Sequence, residues 1–246
     1  MTQLQTAPAL LRPRKANRLL RALSARDFAV LEPHLQPIPL PAGKVLFEPG
    51  DDVVTTYFPA TGAMVSLLIV TRDGREVEAA TIGSEGAVGG IVSEGHKPAF
   101  GRAVVQVGGE GFAIPTSHLE AAKTGSARFG DLFARYADAL LAQMMQSIAC
   151  NALHSVEERF ARWLLSSHDR AGDDVIQLTQ QSMAEMLGVQ RTTVTAVTGA
   201  LQARGLIRAH RGRVEVVDRR GLERAACECY RAVEDHFAGL LPEVAD

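Results

Sequence analysis

Residues 178–214 read LTQQSMAEMLGVQRTTVTAVTGALQARGLIRAHRGRV, and two apolar faces with a glycine between them set the meaning of the stretch. Met183, Ala184 and Leu187 share one helical face, Gly188 follows, and Val189, Val194, Val197 and Leu201 share a second. A sharp reversal between packed helices needs a residue that tolerates positive φ, which glycine supplies. Ala184 is small where the second helix has to cross close above the first. The pattern predicts a helix-turn-helix. Just beyond it, GLIRAH and RGRVEVVD predict two short strands joined at Arg211-Gly212, a wing appended to the helices.

The second helix, expected over about 190–202, turns Arg191, Thr192, Thr195 and Ala196 away from its valines. In this motif that end of the helix enters a major groove, where arginine bonds both acceptors of a guanine and threonine meets a thymine methyl or a phosphate. The expected DNA contacts are therefore Gln190, Arg191, Thr192, Thr193 and Thr195, with Arg191 as the base reader. Thr179 is placed to cap the first helix, so that Gln180 and Gln181 face the phosphate backbone, and Arg211 and Arg213 add charge from the wing. Between Met186 and Val214 there is no Asp or Glu, while Arg191, Arg204, Arg208, Arg211 and Arg213 all fall inside it. Such one-sided charge suits a polyanion. Winged helices also serve as protein-interaction modules, so an interaction module without DNA binding stands as the alternative.

The chain has 246 residues, 46% hydrophobic, with a formal net charge of −2, enough for two modest domains. Its longest apolar runs, such as LLIV at 67–70, are too short to cross a bilayer, and the N-terminus lacks the positive-then-apolar order of a signal peptide. A soluble cytoplasmic chain with no membrane partner is expected. Cys150, Cys227 and Cys229 suit a reducing compartment better than a disulfide framework.

Upstream the period changes twice. From about Leu31 to Ala122, short alternating runs punctuated by glycine and proline predict a β-sandwich or roll, with Asp73-Gly74 as a hairpin turn. Ala16–Val30 reads as a helical lead-in, and the residues before it as loose. Ala127–His154 has no proline and no glycine after Gly130, which predicts one long helix. Leu141, Met145, Ile148 and Ala152 form one stripe, expected at a dimer interface. Tyr136, Leu140, Met144 and Ser147 form an adjacent one, expected on the β domain. A single helix buried wholly in its own domain explains both stripes too. After a break near Ser155, Val156, Phe160, Trp163 and Leu164 mark an amphipathic helix, and residues 219–241 predict one further helix. The class is α+β, with a β-roll in 1–126, a long helix in 127–154 and a winged helix-turn-helix in 155–246.

A glycine-punctuated roll, a long helix and a winged helix-turn-helix, in that order, resemble the Crp/Fnr family of bacterial transcription regulators, most specifically in EMLGVQRTTVTAVTGALQARGLI. The resemblance implies a cyclic-nucleotide-binding-like roll (a double-stranded β-helix), dimerisation through the long helix, a near-palindromic operator with half-sites one helical turn apart, and RNA polymerase as a protein partner. Arg191 matches the family's first recognition arginine, but Thr192 stands where many members carry glutamate and Ala196 where some carry a second arginine, so a different operator is expected.

The effector is less legible. Members that bind cyclic AMP carry a glycine-glutamate pair for the ribose and an arginine-serine or arginine-threonine pair for the phosphate. Here Gly89 is followed by Gly90, and Arg102 by Ala103. Without the carboxylate a ribose hydroxyl loses its partner, at a cost of about 1–3 kcal/mol. Gly89, Gly90 and Arg102 remain the candidate effector residues, cyclic AMP in the usual manner is not expected, and the small-molecule effector is unassigned. An iron-sulfur cluster needs about four thiolates near the N-terminus, so none is expected. For haem, His34, His96, His118 and His154 read as isolated candidates. Cys227, Cys229 and His236 have a poor spacing for zinc, and no metal is assigned. A cupin-like metalloenzyme would need clustered histidines and a carboxylate, and GxSxG, HExxH and P-loop patterns do not occur, so the chain is not expected to be an enzyme.

Overall fold

The computed structural model describes residues 12–241. Three short helices, α1 (Pro13–Ala16), α2 (Arg18–Arg21) and α3 (Ala25–Leu31), lead in where the sequence predicts one. Asn17 causes the first break. Its side chain caps α2 by accepting from Leu20 N at 3.0 Å and donates to the carbonyls of Pro59 and Gly86 at 2.9 and 2.8 Å. The loose stretch expected ahead of Ala16 lies outside the described residues over 1–11, and Pro13–Ala16 is already helical.

Seven strands follow: β1 (Gln36–Leu40), β2 (Val45–Phe47), β3 (Thr55–Pro59), β4 (Met64–Val70), β5 (Glu76–Ile82), β6 (Arg102–Val107) and β7 (Gly109–Pro115). They pair antiparallel in two sheets, ordered β1-β7-β3 and β2-β6-β4-β5. Both sheets contribute to a core containing Leu40, Val65, Ile82, Ala103 and Val105. Gly74, at φ +80°, turns the β4–β5 hairpin. The β pattern expected to reach Ala122 stops at Pro115, and α4 (Thr116–Gly125) takes over.

The 27-residue helix α5 (Ala127–Leu153) starts at its cap Ser126, which accepts from Phe129 N at 3.3 Å, and ends at His154. Its buried line runs through Phe129, Phe133, Tyr136, Ala139, Gln143 and Cys150, not along Leu140, Met144 and Ser147, which are half-buried. Polar anchoring explains the displacement. Tyr136 Oη donates to Ala87 O at 2.9 Å, and Gln143 Nε2 donates to Thr81 O at 3.1 Å, rotating that face onto the roll. Gly86 makes the approach feasible, since a Cβ there would lie 2.1 Å from Tyr136 Oη.

A capping box, Ser155 with Glu158, starts α6 (Val156–Ala171), and Gly172 ends it in the left-handed region. Then come β8 (Val175–Ile176), α7 (Gln180–Leu187), α8 (Arg191–Ala203), β9 (Ile207–His210), β10 (Arg213–Val216), α9 (Arg219–Ala225) and α10 (Cys229–Leu240). The tail is thus two helices, parted where Ala226 is extended at ψ 154°. The wing gains β8 as a third strand, in the order β8-β10-β9.

One core cluster spans both halves, joining Met64, Leu68 and Val107 of the roll to Phe160, Trp163 and Leu164 of α6 and to Met183, Val194 and Leu201 beyond. Trp163 Nε1 donates to Glu78 Oε1 at 3.1 Å, and Ser66 and Thr81 also donate to that carboxyl, at 2.6 and 2.9 Å. Burial pushes Glu78 above its ordinary value of 4.5, against these hydrogen bonds and the fields of Arg162 and Arg170. A carboxyl raised on folding binds more protons in the folded state, so its contribution is fully present below about pH 4.5 and falls as pH rises through the folded pKa. Glu78→Gln should therefore flatten that decline, read as a smaller loss of urea midpoint between acid and mildly alkaline buffer than in the parent chain.

Candidate nucleic-acid interface

Thr179 Oγ1 accepts from Ser182 N at 3.0 Å and so caps α7. Gly188, at φ +62°, ends α7 in the left-handed conformation, and Ala184 is buried between the helices. Val194, Thr198 and Leu201 are the buried residues of α8, while Arg191, Thr192, Thr195 and Ala196 are exposed. Gln190 is the N-cap residue of α8, and its side chain makes no cap bond to the first amides of that helix. Thr193 is half-buried.

The two glutamines of α7 are more constrained than the sequence suggests. Gln180 Oε1 accepts from Arg191 Nε at 3.3 Å and from Thr195 Oγ1 at 3.5 Å, which ties the start of α7 to the exposed face of α8. Gln181 Nε2 donates to Glu185 Oε1 at 2.7 Å. The run of arginines is also partly neutralised by carboxylates from outside it. Arg204 Nη1 meets Glu157 at 2.5 Å, and Arg208 Nη1 meets Glu215 at 2.7 Å across the wing. Arg211 and Arg213 flank the wing turn at Gly212, are exposed, and have no ion pair among the described residues. The local charge excess thus narrows to Arg191 at the helix and two wing arginines.

A cleft of about 1790 Å3 separates this surface from the roll, with Gln181, Glu185, Gln190 and Arg191 on one side and Arg75, Glu76 and Arg102 on the other. Arg102 opens β6. Its Nε donates to Glu48 Oε2 at 2.8 Å and its Nη1 pairs with Glu76, so the guanidinium expected as an anion clamp is already held by two carboxylates, which raise its pKa further. Gly89 and Gly90 are pinned elsewhere, against β3 and α4. Thr56 Oγ1 donates to Gly89 O at 2.9 Å, and a Cβ on Gly90 would lie 2.3 Å from Thr116 Cγ2. Close chain packing accounts for both glycines.

Of the histidines read as isolated, His34 and His118 stack with centroids 3.7 Å apart, and His96 lies 3.3 Å from Asp52. His154 joins the cysteines. Cys227 and Cys229 gather with Cys150 and His154 and not with His236, which lines a small cleft with Ala139 and Gln143. Hydrogen bonding from the Cys227 thiol holds Cys150 down to about 5 against burial, and Cys227 is correspondingly pushed up. Sequence reasoning missed this set because 77 residues separate Cys150 from Cys227.

Residues 158–225 match the family model of the Crp-like helix-turn-helix domain. The chain is 28% identical over 185 residues to the global nitrogen regulator of Synechococcus elongatus, covering 71% of this chain and 82% of that one. Among solved structures it resembles FixK2 from Bradyrhizobium japonicum, at a TM-score of 0.67 and 16% identity over 78% of this chain and 98% of that chain. It also resembles the c-di-GMP responsive global regulator CLP of Xanthomonas campestris, at 0.63 and 21% over 78% and 99%. Those two likenesses concern the fold. No helix among the described residues is long and apolar enough to cross a membrane. Residues 158–225 thus carry a Crp-like helix-turn-helix domain, and the α+β order of roll, long helix and winged helix-turn-helix is similar to that of the regulators the chain matches.

Proposed function

We propose that the chain acts as a homodimer, paired along α5, that inserts two copies of α8 into successive major grooves of a near-palindromic operator. The observation that carries this reading is the outward face of α8: Arg191, Thr192 and Thr195 are exposed, and Gln180 steadies Arg191 and Thr195 from the neighbouring helix. Arg191 reads a base and Arg211 and Arg213 bind phosphates, while Thr179, Gln181, Gln190 and Thr193 lie at the rim of the contact. Two apolar grips support the dimer, since Leu141 and Met145 on α5 are 55% and 62% exposed without a covering element. RNA polymerase is the expected protein partner, and the roll is a sensor whose ligand is not cyclic AMP held in the usual way, because Glu48 and Glu76 occupy Arg102.

Binding of the purified protein to duplexes selected from a random pool tests the reading. Arg191→Ala should cost about 1–3 kcal/mol of discrimination at one base position in each half-site, whereas Arg211→Ala or Arg213→Ala should weaken all duplexes alike and lower the salt slope by about 1. Unchanged DNA affinity in all three variants would transfer the surface to a protein partner.

A further inference from the structure

Four side chains with the ligand chemistry of a tetrahedral transition-metal site meet where the long helix ends. Cys150 and His154 occupy successive turns at the end of α5, and Cys227 and Cys229 flank the α9–α10 junction. Their four ligand atoms all lie within 4.8 Å of one another. Cys150 Sγ and Cys227 Sγ are 3.5 Å apart, and Cys229 Sγ and His154 Nδ1 are 3.5 Å apart. A zinc ion bonded to sulfur at about 2.3 Å and to nitrogen at about 2.0 Å in a tetrahedron sets sulfur–sulfur edges near 3.8 Å and sulfur–nitrogen edges near 3.5 Å. A disulfide, by contrast, needs about 2.05 Å. The two edges at 3.5 Å lie close to those of the coordination polyhedron and far from a sulfur–sulfur bond.

The surroundings agree with the ligand count. All three cysteines are buried. His154 turns Nδ1 to the sulfurs and Nε2 to Glu228 Oε2 at 3.2 Å, the carboxylate–histidine arrangement that fixes a metal-bound imidazole. Gln146 Nε2 donates to Cys229 Sγ at 3.0 Å. Three thiolates and one neutral imidazole around a divalent ion leave one excess negative charge. Arg159 and Arg162 of α6 each bury an Nε without a partner among the described residues, and while burial lowers the pKa of Arg159, the fields of Cys150 and Cys227 favour its charged form.

We propose that Cys150, His154, Cys227 and Cys229 form a site for one thiophilic divalent cation of the zinc type, which staples the end of α5 to the C-terminal helix. The staple lies on the face of α5 away from Leu141, Met145 and Ile148, so it leaves the proposed dimer stripe clear. It spans the Ser155 break between roll and helix-turn-helix, and binding releases the thiol protons to solvent without any redox change.

Cobalt(II) titration of the full-length chain, reduced and stripped with chelator, tests the site directly. One cobalt per chain with the intense charge-transfer absorption of a tetrahedral thiolate complex is the expected result, bleached by one equivalent of zinc. Cys229→Ser and His154→Ala should each abolish or redshape that spectrum. Glu228→Gln, at a side chain that is 79% exposed, should keep the spectrum and weaken affinity by about 10–100-fold. No tetrahedral spectrum in the folded, reduced parent chain overturns the proposal. So does an unchanged spectrum in Cys229→Ser, or isolation with Cys150 and Cys227 disulfide-linked and no cobalt uptake after reduction. None of these readouts involves DNA, so the site stands or falls apart from the operator reading.

Discussion

Arg170→Ala is expected to destabilise the folded chain by about 3–5 kcal/mol, because it removes one partner of a buried ion pair and leaves the other without compensation. Arg170 projects from the last turn of α6, with its side chain 7% exposed against 13% for Glu85. Its Nε and Nη2 meet Glu85 Oε1 at 2.9 and 2.8 Å, and its Nη1 donates to Ser166 O at 3.0 Å. Burial alone would lower the arginine pKa, but the fields of Glu85, Glu234 and Asp169 together outweigh it and raise it. Glu234 on α10 is itself pushed up by burial and held down by Arg170, so the guanidinium serves carboxylates from the roll and from the C-terminal helix at once. Among the described residues, Gly83 N, which donates to Glu85 Oε1 at 3.0 Å, alone would remain on that carboxylate after truncation. Arg170→Leu combined with Glu85→Leu should cost clearly less than Arg170→Ala alone, since the desolvation of both charges goes with them. Urea unfolding of the three proteins at neutral pH decides it. A loss under about 1 kcal/mol for Arg170→Ala would mean that water reaches the pair and that other contacts, Trp163 with Glu78 among them, hold α6 to the roll.

What could be read from the chain before its structure, and what could not, divides along sequence distance. The turn at Gly188, the cap at Thr179 and the span of α5 are written in residues a few positions apart, where apolar period and capping chemistry act locally. The outward face of α8 follows from the same period. Distant chain segments decide the rest. Arg204 looks like a free cation in a stretch without acids, yet Glu157, 47 residues away, reaches it. Arg102 looks like an anion clamp until Glu48, 54 residues away, closes on it. The inner face of α5 is shifted to Ala139 and Gln143 by hydrogen bonds to backbone carbonyls of the roll, which no heptad pattern encodes. The break of the tail at Ala226, which puts Cys227 and Cys229 against the end of α5, likewise depends on tertiary packing.

Ile148→Glu should turn the protein into a monomer and lower operator affinity by about 10²–10⁴-fold, the avidity lost when two half-sites are no longer bound by one linked molecule. Ile148 is 71% exposed, with Leu141 and Met145 above it and exposed Ala152 below, an apolar stripe on a helix whose opposite face is already committed to the roll. Exposed leucine, methionine and isoleucine at this spacing leave the stripe uncovered in a single chain, and in the proposed dimer a parallel copy of α5 would cover it, with like residues meeting across a twofold axis. A carboxylate at that position would face its own copy across the axis, so both desolvation and repulsion oppose association. Within one chain the same position faces solvent, and thermal unfolding of the isolated variant should stay close to that of an Ile148→Leu control, which keeps the apolar contact. Light scattering at micromolar concentration, alongside binding to full and half operators, separates the outcomes. Loss of dimer with half-site affinity retained places the grip on α5 and leaves α8 intact, while a variant that stays dimeric with full affinity would move the interface to another surface.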